Sequence, residues 1–327
     1  MKQLPKISII IPVYNVAEYI DECLQSVMRQ TYKGEIECLL VDDCGTDNSI
    51  TIAEKLIADY KGPISFHILH HDHNRGLSAA RNTGTDAATG DYIYYLDSDD
   101  YITDDCIEVL TKPLRKREYD MVQGNHCCFG EESDFYPMKQ EADFVVSGRE
   151  YLESWFWGTM PVTAWNKLIR LQFLRENHFA FAEGILHEDI PFSFRFACVD
   201  SMIYACVHTT YMYRIRENSI KGDLSANLIK ERDSLLDVYE QITKNLPNKE
   251  YDALYDEILH TYALKILEFT KKSNQSIKNA YLRINHLYPY TFSSIRRAGK
   301  LTKTIIRTRW KWLLPAAIGY LLMAIKS

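Results

Sequence analysis

Asp91-Tyr92-Ile93-Tyr94-Tyr95-Leu96-Asp97-Ser98-Asp99-Asp100 is an apolar, aromatic run that stops abruptly in carboxylates. The β-branched and aromatic content of Tyr92 to Leu96 suits a buried strand, which places Asp97, Ser98, Asp99 and Asp100 at its carboxyl end. Open α/β sheets bind their ligands at that end. Closely placed carboxylates repel one another unless a cation or hydrogen-bond donors offset them, and Asp oxygens are the hard ligands that Mg2+ or Mn2+ prefer. We therefore expect a metal site for a phosphate-bearing ligand here. For the cluster taken alone, an Asp-rich turn ahead of a helix near Thr103 is the plainer alternative.

Working outward, β-rich runs at 7–11, 36–41, 64–69 and 91–96 alternate with helical patterns near 17–30, 47–60 and 77–88. Strict alternation of strand and helix predicts an α/β fold, a parallel sheet with helices on its faces. From about 104 to 215 the pattern loosens into mixed helices and short strands, among them Asp120 to Gln123, Phe144 to Val146 and Met202 to Val207. Beyond Asn218, Leu228, Leu235, Val238 and Ile242 recur three and four apart, as do Leu254, Ile258, Tyr262, Ile266 and Phe269. These are the packing stripes of amphipathic helices, interrupted at Pro247. The chain thus reads as an α/β domain over 1–217, a C-terminal helical extension over 218–294 and a basic tail over 295–327.

The 327 residues suffice for a large core and an appended unit. None of the 8 cysteines shows Cys-Xaa-Xaa-Cys spacing and most lie in apolar segments, which predicts a reducing compartment. Lys2 and Lys6 lead into a strand too short for the apolar region of a signal peptide, so we expect a cytoplasmic protein.

Three further loops follow predicted strands. Ile11-Pro12-Val13-Tyr14-Asn15 ends the first, where Pro12, Tyr14 and Asn15 are placed for a base or ribose to lie against. In Val41-Asp42-Asp43-Cys44-Gly45-Thr46-Asp47-Asn48-Ser49, Asp43 is placed to accept from ribose hydroxyls or a base N–H, and Thr46 or Asp47 to cap the next helix. Asn74-Arg75-Gly76-Leu77-Ser78-Ala79-Ala80-Arg81-Asn82-Thr83-Gly84 opens the third helix, where Asn74, Arg75 and Arg81 can meet phosphate oxygens beside the helix N-terminus. A surface ion pair is the alternative for Arg81. All of these loops converge on one sheet edge with the Asp97 cluster.

In this order, the segments resemble glycosyltransferase family 2, the inverting sugar-nucleotide transferases of the GT-A fold, over roughly residues 5–215. The resemblance implies a Rossmann-like nucleotide-binding sheet with a mixed second half, and the chemistry of bacterial capsular, exopolysaccharide or lipopolysaccharide sugar transfer. It also implies that Asp43 contacts the nucleobase, that Asp97 and Ser98 contact the ribose, and that Asp99 with Asp97 holds the Mn2+ or Mg2+ ion bridging the diphosphate. Cys44-Gly45 departs from the family's common Gly-Ser.

The second half needs a general base, and His187-Glu188-Asp189-Ile190-Pro191-Phe192 matches the family's Glu-Asp motif. Asp189, flanked by Glu188, is the candidate to take the acceptor hydroxyl's proton as that oxygen attacks the anomeric carbon, a role that contributes about 10²–10⁴-fold in rate. A helix cap with Pro191 in the first turn is the bland role for Asp189, and the two can coexist. Trp165-Asn166-Lys167 resembles the family's acceptor-side segment, with Trp165 to stack on a sugar face and Lys167 to meet phosphate; a buried Trp and a surface Lys are the alternative. Arg214 and Arg216 are candidates to clamp the diphosphate or simply solvated charges, and His208 is a further candidate metal ligand.

The tail is distinctive. Residues 296–327 carry eight Lys or Arg and no Asp or Glu, which leaves a formal charge of about −14 on the rest of the chain. Arg296, Lys300, Lys303, Arg307 and Lys311 share one helical face, with Leu301 and Ile305 opposite. The apolar run from Trp312 to Ile325 is broken by Pro315 and falls short of the ~20 residues needed to span a bilayer. We expect an interfacial helix, with Trp310, Trp312 and Tyr320 at the headgroup boundary, attached peripherally to an anionic membrane's inner face. A helix packed on the protein body is the alternative, while the acidic body argues against nucleic acid.

Together these features predict a metal-dependent inverting transferase that moves a sugar from a nucleotide donor, a UDP-sugar by the resemblance, to a lipid-linked or polysaccharide acceptor. A non-catalytic sugar-nucleotide-binding scaffold at the membrane is the alternative.

Overall fold

The computed structural model describes residues 3–130, 138, 140–215, 228–246 and 253–287, and the chain divides into two compact units, Met1–Glu217 and Asn218–Ser327. In the first unit, strands β1 (Ile7–Val13), β2 (Ile36–Asp42), β3 (Ser65–His70) and β4 (Tyr92–Tyr95) alternate with helices α1 (Ile20–Met28), α2 (Ser49–Asp59) and α3 (Leu77–Ala87). The strands pair in parallel in the order β3-β2-β1-β4. β1 lies inside this half, and its side chains divide with a period of two. Ile7, Ile9 and Ile11 join one core with Ile20, Leu24 and Val27 of α1, whereas Ile10 joins the other with Leu39, Ile93 and Tyr95. A strand covered on both faces needs the continuous apolar run that Ile7 to Val13 supplies.

Pro12 lies buried within β1 opposite Val41, in the strand that holds the loop of Tyr14 and Asn15. Its ladder with β4 covers only Ile7 to Ile10, and the Ile10 carbonyl accepts from the Leu96 N–H at 3.0 Å. Pro12 shares that side of β1, beyond the end of β4, so its missing N–H costs the sheet no hydrogen bond.

Past β4 the sheet turns antiparallel. β8 (Lys167–Arg170) pairs with β4, β6 (Met121–Gly130) with β8, and β9 (Met202–Ile215) runs parallel to β6. The short strands β5 (Tyr101–Ile102) and β7 (Phe144–Ser147) both pair with β9. Among the described residues the unit has four further α-helices: α4 (Cys106–Thr111), α5 (Gly148–Phe156), α6 (Leu171–Glu176) and α7 (Asp189–Cys198). Ser147 and Glu150 form the capping box that starts α5. Phe181 stacks on Phe192 of α7 with centroids 4.0 Å apart, joining the loop before α7 to the helix itself.

At the amino-terminal edge, buried Glu37 pins β1, β2 and the turn after α3. It accepts from Ser8 Oγ at 2.5 Å and from Thr89 N and Oγ1 at 2.7 and 2.6 Å, and pairs with Lys6 Nζ at 3.1 Å. Burial opposes its charge, but these donors outweigh burial and bring its carboxyl down to about 2.

The second unit contains α8 (Leu228–Lys244), α9 (Ala253–Lys272) and α10 (Ile277–Leu287). Leu235, Val238 and Ile242 of α8 and Ile258, Tyr262 and Ile266 of α9 are buried, so the stripes are core faces. No helix among the described residues is long and apolar enough to cross a membrane. Arg216, Pro247 and the basic tail lie outside the described residues.

Candidate active site

Val13 pairs with Asp42 and Asp42 with His70, so the loops after β1, β2 and β3 leave from one edge, joined by the loop after β4. Tyr14 is 46% exposed and offers its ring to solvent. Asn15 turns in the left-handed region at φ 52°, and its Oδ1 accepts from the Thr46 N–H at 2.7 Å, which ties the first loop to the second. Gly45 lies at this joint, where a Cβ would sit 3.1 Å from the Asn15 nitrogen. Cys44 also takes a left-handed conformation, φ 56°, which is why glycine suits the position. Its Sγ donates to the His71 carbonyl at 2.9 Å.

Asp43 is 3% exposed and spends both oxygens within the chain. Oδ1 accepts from the Arg75 N–H at 2.7 Å and meets His71 Nδ1 at 2.7 Å, and Oδ2 accepts from the Gly76 N–H at 2.8 Å. It shapes the loop entering α3, so the expected open carboxylate is committed to the backbone. Asp47 holds the start of α2, accepting from the Ser49 N–H at 3.0 Å and the Ala17 N–H at 2.8 Å. His71 escaped the sequence reading. It directly follows β3, the place in the pattern that Asp43 occupies after β2, and its Nε2 reaches Thr83 Oγ1 at 2.9 Å. Asn74 and Arg75 are exposed, with Arg75 Nη2 3.5 Å from Glu183 Oε2.

Arg81 joins the two halves of the domain. Only 2% exposed, it donates from Nη2 to Asp97 Oδ1 at 2.8 Å and from Nη1 to Glu188 Oε1 at 2.5 Å. Burial opposes its charge, but Asp97 and Glu188 outweigh burial and raise its pKa further. The carboxylate-rich strand end and the Glu-Asp motif therefore belong to one site.

The rest of the Asp97 cluster is differentiated. Asp97 and Asp99 are half-buried, while Ser98 is 6% and Asp100 2% exposed. Asp100 accepts from the Tyr211 hydroxyl at 2.6 Å and the Arg214 N–H at 2.7 Å; burial first, then Asp99 and Asp97, push its carboxyl well up. The Arg214 guanidinium pairs with Glu22, donates to the Asp99 carbonyl at 2.9 Å and lies 4.6 Å from the Phe129 ring centre, so it is anchored as part of the scaffold. Tyr211 lies three residues before Arg214, in a stretch where only the arginines drew an expected role.

In the segment expected to face the acceptor, Trp165 is 5% exposed and stacks on Tyr211 at 4.2 Å and 11°, which makes it a core ring and not an open sugar platform. Asn166 takes φ 59° and is fastened by Tyr94 and Thr210 hydroxyls at 3.1 and 2.8 Å and by its own bond to the Asn125 carbonyl at 2.8 Å. Lys167 is 1% exposed, so neither a surface position nor an open phosphate contact describes it. Burial pushes its pKa well below the usual lysine range, and Asp189 pulls it part of the way back. Asp189 begins α7 directly after His187, at φ 58°, and Glu188, which makes no side-chain cap bond. Burial and the Glu188 charge raise the Asp189 carboxyl well above the usual range, opposed by Arg81 and Lys167.

His208 faces Asp105 at 3.4 Å and joins no metal cluster. Among the described residues no group of three or more His, Cys, Asp or Glu is arranged to hold an ion. Asp97 and Asp99 do fit the donor set of Mg2+ or Mn2+ bound through one or two carboxylates, with phosphate and water completing its shell.

A family model described as Glycosyl transferase family 2 matches residues 8–177. The glycosyltransferase GlyG of Streptococcus pneumoniae is 31% identical over 223 residues, covering 65% of this chain and 72% of GlyG. Two further relatives extend well beyond the match, the chain covering 31% and 63% of their lengths. The fold is that of S. aureus TarS 1–349 in complex with UDP, at TM-score 0.65 and 20% identity over 87% of this chain and 81% of that one. It is also that of the mannosyltransferase PcManGT from Pyrobaculum calidifontis in complex with GDP-Man and Mn2+, at TM-score 0.57 and 16% identity over 99% and 87%. The strand order, the strand-end carboxylates joined to the Glu-Asp motif and the match across half the chain agree: this is a glycosyltransferase of GT-A fold, and it belongs to glycosyl transferase family 2.

Proposed function

We propose that the enzyme moves a sugar from a nucleotide donor, a UDP-sugar, to a hydroxyl of a lipid-linked or polysaccharide acceptor with inversion. The Arg81 bridge carries this reading, because one guanidinium holds both Asp97, proposed to contact the donor, and Glu188 of the proposed catalytic pair. Tyr14, exposed at the mouth of the first loop, stacks on the base. Exposed Asn74 and Arg75 stand beside the N-terminus of α3, where backbone N–H groups favour phosphate. Asp99 and Asp97 would hold Mn2+ or Mg2+, which when bound offsets charge on the departing diphosphate. Asp189 takes the proton of the acceptor hydroxyl as its oxygen bonds the anomeric carbon and the bond from that carbon to the phosphate oxygen breaks. A carboxyl raised by burial suits a base working near neutral pH.

TarS in complex with UDP supports a UDP donor, and PcManGT with GDP-Man and Mn2+ supports the metal. The basic, aromatic tail supports peripheral attachment at the cytoplasmic face of the membrane. The test is binding and turnover across a panel of sugar nucleotides, with and without Mn2+. One donor should bind in a metal-dependent way that Asp99→Ala abolishes, while Asp189→Ala binds it and does not turn over. Absence of any donor binding with metal present would overturn the reading in favour of a scaffold. A variant ending at Ser294 that used lipid-linked acceptors as well as the full chain does would remove the membrane role.

A further inference from the structure

Helix α5 closes on three consecutive aromatic residues, Trp155, Phe156 and Trp157, and the topology brings that end to the Glu-Asp motif. β9 runs toward the site, since Tyr211 and Arg214 near its end bond Asp100. β7 pairs antiparallel with β9 and so runs away from the site, and α5 follows it directly and returns. Two contacts fix α5 against α7. A Cβ on Gly148, the first residue of α5, would collide with the carbonyl of Phe196, near the end of α7. One turn on, the Tyr151 hydroxyl donates to the Pro161 carbonyl at 3.1 Å, next to the Val162 carbonyl that accepts from Ser193 Oγ at 2.8 Å. The helices are therefore antiparallel, and with equal rise per residue each step along α5 is a step back along α7. Gly148 beside Phe196 and Tyr151 beside Ser193 set Trp155 level with Asp189, and Trp157 about 3 Å farther out.

The helix end holds the last of these rings in place. Gly158 takes φ 73°; its N–H donates to the Trp155 carbonyl at 2.8 Å and the Thr159 N–H to the Ser154 carbonyl at 2.8 Å, the paired bonds of a Schellman motif that stop the helix at Trp157. Trp155 and Phe156 are half-buried, whereas Trp157 is 51% exposed, with its ring edge-on to Phe156 at 5.2 Å and 72°. Among the described residues nothing lies within 4 Å of a Cβ built on Gly158, so the space beside Trp157 is open.

We infer that Trp157 is the platform on which the acceptor's sugar chain stacks, holding the sugar next to the one whose hydroxyl faces Asp189. The inference rests on Asp189 receiving that hydroxyl's proton. The C–H bonds on a pyranose face are weakly positive and meet the negative face of an indole, and a Trp side chain presents a large rigid surface at low entropic cost. Trp165, the ring to which the sequence points, is covered by Tyr211, and Trp157 supplies an open ring beside the same helix start. The setting suits a glycan better than an anionic membrane: the exposed residues flanking the ring are Glu153, Gly158 and Thr159, an acid, a glycine and a hydroxyl, where membrane-surface helices carry Lys or Arg.

The test applies the full chain to a printed array of bacterial polysaccharides, oligosaccharides of increasing length, and octyl glycosides of the single sugars. Wild type should hold a set of glycans from disaccharides upward. Trp157→Ala should hold the same set about tenfold more weakly, the usual cost of truncating an aromatic hot spot. Trp157→Tyr, which keeps a flat ring, should recover most of the loss, while Trp157→Leu, apolar without a flat face, should not. Melting temperatures of the three variants, which a packing role would lower, should match wild type. Any glycan on the array that also serves as acceptor should show the loss in KM far more than in kcat. Equal array binding by wild type and Trp157→Ala, or no glycan held by wild type, would overturn the inference. So would a loss confined to the octyl glycosides, which would assign the ring to an alkyl chain. Turnover persisting in Asp189→Asn would instead overturn the base reading beneath it, and array binding, which needs no chemistry, keeps the two failures apart.

Discussion

Arg81 Nη1 lies 2.5 Å from Glu188 Oε1 although 107 positions separate the two residues in the chain. The same guanidinium reaches Asp97, so deleting it strands two carboxylates in a largely dry site. Arg81→Gln should cost about 3–5 kcal/mol, the usual penalty for breaking a buried ion pair. Turnover should fall at least about 100-fold, because orientation of both carboxylates is lost together. Arg81→Lys, a point charge on a flexible stem, cannot serve both at once and should recover stability better than rate. Thermal unfolding and kcat measured on the same preparations test the pair.

Trp165 gives the opposite kind of expectation. Its ring is packed on Tyr211, so Trp165→Ala should lower stability by about 3–5 kcal/mol through the cavity it leaves. Trp165→Phe should retain the wild-type acceptor KM. A selective rise in acceptor KM with unchanged melting would restore a sugar-stacking role.

Asp43 holds the backbone N–H groups of Arg75 and Gly76. Asp43→Ala leaves both donors without their acceptor at about 1–3 kcal/mol each, and the loop before α3 should lose its shape. Donor KM should therefore rise by roughly 10–100-fold with a smaller change in kcat. Steady-state kinetics at saturating acceptor separates the two.

Glu37 lies far from this chemistry and governs acid stability. Its folded carboxyl is depressed to about 2 by its donors, so its contribution is fully present above the unfolded carboxylate range and is lost as pH falls toward 2. Glu37→Gln should cost about 2–3 kcal/mol at pH 7, and its stability should fall less steeply than wild type between about pH 4.5 and 2. Denaturant melts across that range measure both.

The parallel half of the sheet is legible because its strands are short, rich in β-branched and apolar residues, least so in β3, and followed by a clear change of period. The runs at 7–11, 36–41 and 64–69 become Ile7–Val13, Ile36–Asp42 and Ser65–His70. The second half is harder because its strands are defined by distant partners. Two-residue β5 exists through its pairing with β9, and β9 runs to Ile215, well past the apolar stretch that marks its start. Motifs likewise reveal which residue types gather and not which of them face the cleft. Asp43, Trp165 and Lys167 lie in recognisable segments yet are buried, while Tyr14 of the same set is exposed. Burial depends on what packs above a residue, and for Trp165 that is Tyr211, 46 positions further along the chain.

On leaving β4 the pairing turns from parallel to antiparallel at a seam where Tyr92, Ile93 and Tyr94 of β4 meet Arg170, Ile169 and Leu168 of β8. The loops after β1, β2 and β3 hang from one side of that seam, and the segment leading to the Glu-Asp motif comes from the other. A hybrid that takes its first hundred residues from this chain and the remainder from a relative has to reproduce the β4–β8 pairing, the Arg81 bridge, the bonds of Tyr211 and Arg214 to Asp100 and two shared cores. Exchange of acceptor preference between relatives is an engineering route that this architecture leaves open.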